Sequence, residues 1–551
     1  MVEVTKPDYL SLVNQGGSGF NVSELVTAMV AAEIEPKRSI QNTKLEKTEN
    51  SISGIGYLNS QALITKDSFD EISGANFFDV TSSNSTGVSL VITDETQLSA
   101  SNRTISNVQI ARKMVFALGG FSSVSDPLEA AGVTIDIDFG TWTENNADNF
   151  SFSEASDNVT KQVSFTSKSL TDIAALFNDI DGISAQIVDT TGDGTNYSLV
   201  LSSENTGAGN GFRLSETGGS TRWETTLIPS STPENNTFSQ LATDATFSLD
   251  GIQVSRSGNT ITDIMPGIEL TLNADVSGDV AVSTTRSNSK IRQTIEDTIS
   301  SLNEFKDEID RLTYVDVEGA VNGPLILETS ATMLKSNFKK LAIEPLQGFG
   351  SSAIYISQLG IKTNSEGQYY LDETVFEKTL STNPEYFSAL KDDNLSSSTS
   401  SASVSTGLTT EIPSGTYTVD YDGSNWKFGD TILTSDGAGT FTSSTYPGLR
   451  IETIDASPAQ FEVYVGKSFA TKIIDLMSET LADGSSLKSA ETAYQNLSED
   501  INERLEKLDL REELISTRYT EQFGAMESAM TQFNSTKTML ENFIEAWKKQ
   551  K

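Results

Sequence analysis

Asp136 and Asp138 alternate with apolar residues in the run Val133-x-Ile135-x-Ile137-x-Phe139, so on an extended strand both carboxylates share one face. Two carboxyl groups flanking a sugar are what glycoside hydrolysis uses. The chain carries 76 acidic side chains, however, and against that background the pair reads as a solvated sheet face. Asp189-Thr190-Thr191-Gly192-Asp193-Gly194 opens like a calcium loop, but Val200 stands where the closing bidentate Glu belongs, so a turn is the better reading. Gly207-x-Gly209-x-Gly211 is glycine-rich in the way of a phosphate cradle, yet Phe212 and Leu214 continue it as strand and not as helix. The sequence contains no His and no Cys. That removes the commonest general base, every thiolate and every imidazole or thiolate metal ligand. No Ser-His-Asp or Cys-His mechanism can be assembled from these residues. The expectation is a non-enzyme, with no catalytic residue, no cofactor and no metal.

The elements that would position any site point to assembly. At 551 residues the chain exceeds one compact core and is expected to form about three to five domains. With 36% apolar and 21% charged residues it can fold, and it contains no unbroken apolar run of about 18 residues to span a membrane. Met1 to Phe20 lacks the basic start and apolar stretch of a secretory signal, so export would follow another route. A net charge of −38 repels nucleic acid and anionic lipid, and neither is expected as a partner.

The C-terminal region is the strongest local signal. Apolar residues step by threes and fours from Leu487 through Ala490, Tyr494, Leu497, Ile501, Leu505 and Leu508, then from Ile515 through Tyr519, Phe523, Met526, Met530 and Phe533 to Leu540, Ile544 and Trp547. This is the seam of a coiled coil, forming one long helix or two in series. Glu512 and Lys537 fall on the seam where apolar residues are expected, and the four-four steps at Ile515–Tyr519–Phe523 are a stutter. At the other end, Asn21 and Glu24 resemble a capping box before the stripe Val22, Leu25, Val26, Met29 and Val30. Pro36 is expected to end that helix or start the next. Further helical stripes run from Ile40 to Leu63 and from Ile291 to Leu312. Between them, residues 66–287 are rich in Ser, Thr, Asn, Asp and Gly, with alternating strands such as Ile268-x-Leu270-x-Leu272. Tyr417, Val419 and Tyr421 lead into an Asp422-Gly423 turn and out to Trp426 and Phe428, a hairpin. The Ser/Thr-rich stretch from Leu395 to Thr409 reads as a linker.

The fold class expected is therefore α+β and multidomain, with N- and C-terminal helices forming a coiled-coil-like stalk and antiparallel β-rich domains inserted between them. Residues 1–36 with 515–551 would form a terminal leg, and 37–75 with 287–395 and 467–514 a helical domain. Residues 76–286 would form two β-rich heads and 396–466 a second small β-rich insert.

Specific residues within this plan resemble flagellar filament cap proteins, the hook-associated protein 2 family. Gly19-Phe20-Asn21-Val22-Ser23-Glu24-Leu25-Val26, with Glu33 and Pro36 further on, is similar to that family's opening segment. The stretch from Ser169-Leu170-Thr171-Asp172 through Ser184-Ala185-Gln186-Ile187-Val188 to Glu204-Asn205-Thr206-Gly207 resembles a short motif that hook-associated proteins share with flagellins. More specific to the cap is Asp250-Gly251-Ile252-x-Val254-x-Arg256-Ser257-x-Asn259 followed by Pro266-Gly267-Ile268-x-Leu270. Leu359-Gly360-Ile361 with Gly367, Leu371 and Asp372 also fits, whereas Gly74 to Glu129 and Leu395 to Pro447 carry no resemblance.

The resemblance implies a secreted, extracellular protein at the flagellar tip. It implies a homo-oligomeric ring, pentamer or hexamer, that promotes flagellin polymerisation at the distal filament end and prevents monomer loss. An export chaperone and the flagellar export apparatus are implied as further partners. Combined with the stripes, it places a subunit or filament interface on Phe20, Val22, Leu25, Val26 and Met29, and on Phe523, Met526, Met530, Phe533, Met539, Leu540, Phe543, Ile544 and Trp547. Two rivals stand beside it. One is another axial flagellar protein, a hook–filament junction protein or a flagellin. The other is a secreted adhesin binding host or surface glycans through exposed aromatics such as Trp142, Trp223 and Trp426.

Overall fold

The structure, a computed structural model, describes residues 18–19, 21–146, 149–217, 222–224, 237–316, 322–407, 411–455 and 457–549. The architecture is α+β and the chain divides into two compact units, residues 76–291 and residues 1–75 with 292–551. Seven helices organise the described residues: α1 (Val22–Ser73), α2 (Leu170–Asn178), α3 (Asn288–Leu312), α4 (Thr329–Leu341), α5 (Glu373–Thr382), α6 (Phe469–Leu481) and α7 (Ser486–Lys549), besides single helical turns. Among them no helix is long and apolar enough to cross a membrane.

Residues 76–291 hold two cores, both between antiparallel sheets. In the first, a five-stranded sheet has the spatial order Phe78–Ser82, Val280–Arg286, Ser101–Gln109, Ala245–Leu249, Ile252–Arg256. It shares its buried face, including Ile105, Phe247 and Val280, with the three-stranded sheet that carries Leu270 and Leu272. In the second, the long strand Val133–Asn146 is flanked by Gly211–Thr217 and by Asn149–Glu154 and Lys161–Phe165. Its alternation puts Val133, Ile135 and Ile137 inward, as the period of two requires. Ser169 caps α2 by accepting the Asp172 N–H, and Leu170, Ile173, Ala174 and Phe177 seal this core.

In the other unit, α3 buries Ile295, Leu302, Phe305, Ile309 and Leu312, and Phe305 meets Phe338 of α4 with ring centres 4.6 Å apart. Phe69 of α1 packs edge-on against Phe469 of α6 at 6.0 Å. Lys306 is buried within this helical core and ion-paired to Asp310 at 3.0 Å, which also holds Lys335 at 2.7 Å. An eight-stranded antiparallel sheet is inserted between α5 and α6, in the order 394–397, 461–466, 415–421, 426–428, 431–435, 440–443, 450–453, 402–405.

Two expectations give way here. The Ser/Thr-rich stretch after Leu395 is no linker: Asn394–Ser397 and Ala402–Ser405 are the two outer strands of the eight-stranded sheet. Ser and Thr serve a half-exposed strand as readily as a loop, and composition alone does not separate the two. Pro36 neither ends nor starts a helix, because α1 runs through it from Val22 to Ser73. Proline inside a helix forfeits one hydrogen bond and costs about 3 kcal/mol. Ile34, fully buried against α7, and Arg38, ion-paired to it, hold the helix on both sides of that defect.

Candidate functional site: the paired chain ends

The first helix begins at Asn21, whose side-chain oxygen accepts the Glu24 N–H at 3.3 Å. From that cap, Val22, Val26, Val30 and Ile34 recur every fourth residue and are all buried. They pack against Ile515, Tyr519 and Phe523 of α7, the stutter in the C-terminal stripe, which also recurs every fourth residue. The helices run antiparallel. Arg38 reaches Asp509 at 2.6 Å and also Glu512, whereas Glu33 lies against Arg511 and Arg518 at 3.6 and 3.9 Å. The charge at Glu512, out of place in a purely apolar seam, is thus accounted for by Arg38 across it. Hydrogen bonds from Arg38 to Glu512 and Asp509 raise its pKa further, so it is charged at every working pH.

Past the reach of α1 the stripe continues without cover from within the described chain. Met526 and Met530 are exposed, Phe533 is 76% exposed, and Met539, Leu540, Phe543 (72%), Ile544 and Trp547 (60%) follow. Every side chain from Ser528 to Lys549 faces solvent. The proposed interface residues therefore divide. Val22, Val26 and Phe523 are engaged within the chain, Leu25 and Met29 flank them in the open, and the C-terminal eight from Met526 to Trp547 are exposed. Phe20 lies outside the described residues. Leu510 and Leu514, exposed on another side of α7, escaped the sequence reading because they fall off the seam.

The other constellations are structural. Asp138 is buried and accepts from Thr160 and Arg213, both at 2.7 Å, and from Asn158 at 3.2 Å. Burial alone would raise its pKa, but those hydrogen bonds outweigh it and hold the carboxyl below its ordinary value. Asp136 accepts from Gln162. The pair is a cross-strand tie, more enclosed at Asp138 than a solvated face would be. Asp189 accepts the backbone N–H groups of Gly194, Gly192 and Thr191, which pull its pKa down and close a turn. A side chain at Gly211 would meet the Gly140 carbonyl across the strand pair, so this glycine serves close packing. Of the four tryptophans, the three named for sugar binding are not fully exposed. Trp223 is fully buried, Trp142 is half-buried with its indole N–H on the Phe212 carbonyl, and Trp426 is half-buried between Tyr421 and Phe441.

The motifs that carried the resemblance have structural reasons too. Asp250 and Gly251 take positive φ in a tight hairpin, and the Asp250 carboxylate holds Arg103 and the Thr104 N–H. Asn259 bonds both the N–H and the carbonyl of Ala111. At Gly267, φ is +72° and a Cβ would overlap the Asp94 carbonyl, which only glycine avoids.

Antiparallel chain ends, an apolar stripe running on past their seam and β-domains inserted between the helices define a structural assembly protein. The model of the flagellar hook-associated protein 2 C-terminus matches residues 242–535, and that of its N-terminus residues 18–114. The A-type flagellar hook-associated protein 2 of Pseudomonas aeruginosa is 22% identical over 409 residues, 69% of this chain and 80% of that one. The Escherichia coli K12 flagellar hook-associated protein 2 is 24% identical over 65% of this chain and 75% of its own. In fold, the D1-D2-D3 domains of the flagellar cap protein FliD from Escherichia coli superpose with a TM-score of 0.50, at 23% identity, covering 62% of this chain and 90% of that one. The chain belongs to the flagellar hook-associated protein 2 family. It is a protein of the extracellular flagellum, and a hook–filament junction protein or a flagellin is not the reading these matches favour.

Proposed function

We propose that this chain seats at the distal end of the flagellar filament as a homo-oligomeric ring of five or six copies, promotes flagellin polymerisation there and prevents loss of monomer, without catalysis. The observation that carries the reading is the exposed stripe from Met526 to Ile544, continuous with the intramolecular seam. A patch of this size on a soluble helix marks a contact surface. Burying a Phe, Leu, Ile, Met or Trp side chain contributes roughly 1.5–3 kcal/mol each, so even half the stripe supports a stable contact with a neighbouring copy or the filament end. Before assembly the same surface needs an export chaperone, because an exposed stripe otherwise associates indiscriminately. Leu25 and Met29 widen the face beside the seam.

The test is Phe533→Asp with Leu540→Asp. Both side chains are exposed, so the folded units stay intact while retention at the filament tip and capping are lost. Deleting the gene in its host gives short or absent filaments with flagellin in the medium. Normal filament length in the deletion strain, or full capping by the double variant, defeats the reading.

A further inference from the structure

Glu527 sits on a stretch of α7 whose neighbours Ala525, Met526, Ser528 and Ala529 all face solvent, yet Glu527 itself is 1% exposed. Ser18 meets it, donating its backbone N–H to Oε2 at 2.8 Å and its hydroxyl to Oε1. Both carboxylate oxygens thus accept a hydrogen bond, which a buried carboxylate requires. Gly19, with φ +83°, turns the chain between this contact and the Asn21 cap.

The seam has a defect that this contact corrects. Because Val22, Val26, Val30 and Ile34 recur every fourth residue, as do Ile515, Tyr519 and Phe523, sliding one helix by four residues, about 6 Å, sets apolar against apolar again. Apolar packing alone leaves the register degenerate, the situation in which a polar contact selects one alignment. Two polar contacts bracket the seam, Arg38 with Asp509 and Glu512 at one end and Ser18 with Glu527 at the other. A slip of one turn breaks both.

We propose that the Ser18–Gly19 strap and Glu527 form a latch that sets the register of the two chain ends, closes the intramolecular seam at Glu527 and so delivers the stripe from Met530 to Trp547 as a separate face. Glu527 is a positioning residue, and the last part of the proposal rests on the reading of that stripe as the docking face.

The experiment is hydrogen exchange on the full chain carrying Glu527→Ala, Ser18→Ala or Glu527→Gln. Glu527→Ala speeds exchange of the amides from Val22 to Val30 by roughly tenfold or more, since a hydrogen-bonded charge is lost. Ser18→Ala gives a smaller rise, and Glu527→Gln, which keeps an acceptor for the Ser18 N–H, restores most of the protection. Exchange in residues 76–291 stays unchanged, which separates a latch from general unfolding. Exchange within twofold of the parent in Glu527→Ala, or no rescue by glutamine, overturns the latch. Tip retention is scored in parallel. Faster exchange with retention intact upholds the latch and defeats the docking reading of the stripe, whereas lost retention with unchanged exchange does the reverse.

Discussion

Shortening Ile34 to alanine tests the pairing of the chain ends directly. Ile34 is fully buried at the base of the α1–α7 seam, and Ile34→Ala removes three carbons from it. At about 0.8 kcal/mol per buried methylene plus a term for the cavity, the expected cost is about 2–4 kcal/mol. Among the described residues the cluster around Ile34 is built from α1 and α7, so the loss shows as local opening and not as a shift in a global melting transition. At tenfold per 1.4 kcal/mol, opening becomes roughly 30- to 1,000-fold more frequent. Hydrogen exchange read by mass spectrometry should record this in peptides covering Val22–Arg38 and residues 509–527, with peptides from 76–291 unchanged. Ile40, on the same helix but 55% exposed, is the control, and its replacement by alanine should cost less than about 0.5 kcal/mol. Equal effects at the two positions, or unchanged protection in Ile34→Ala, would falsify the claim that this seam joins the ends.

Pro36→Ala should stabilise the chain by about 1–3 kcal/mol, because it restores an N–H inside a continuous helix; a lower local exchange rate checks it, and a destabilised variant would mean the proline is required where it stands. Gly267→Ala should destabilise residues 76–291 by more than about 2 kcal/mol in urea, and a near-neutral result contradicts the overlap with the Asp94 carbonyl. Asp138 has a depressed pKa in the folded state, so its contribution is complete above the unfolded carboxylate value, about 3.9, and is lost as pH falls through the lower folded value. Asp138→Asn should cost about 1–3 kcal/mol at neutral pH and flatten the acid limb of the stability curve, and an unchanged limb would show that the Arg213 tie is dispensable.

Much of this fold is legible in the sequence. The four-residue steps from Val22 to Val30, the C-terminal stripe and the strand alternation at Ile135 and Leu270 are local periodicities, and each element formed where its period lies. The hairpin at Asp422-Gly423 formed as its turn residues require, with Tyr421 opposite Trp426. What misled was local chemistry read without its surroundings. Pro36 breaks a helix in isolation, yet packing on α7 outweighs its cost. The Ser/Thr run after Leu395 looks unstructured until Phe461–Gly466 supplies the partner for its first strand.

Residue types by themselves determined that this protein has no imidazole or thiol chemistry, that its two ends are amphipathic helices and that its middle is sheet, because alphabet and periodicity are properties of the linear chain. Which part of each stripe is spent inside the molecule was decided only by the fold. Val26 and Phe533 are equally apolar in sequence, but one lies where two helices run side by side and the other where α7 continues past the end of α1. Burial is a property of pairs of segments hundreds of residues apart: the Asn21 cap marks where α1 begins, but no local pattern records which turn of α7 it lies against.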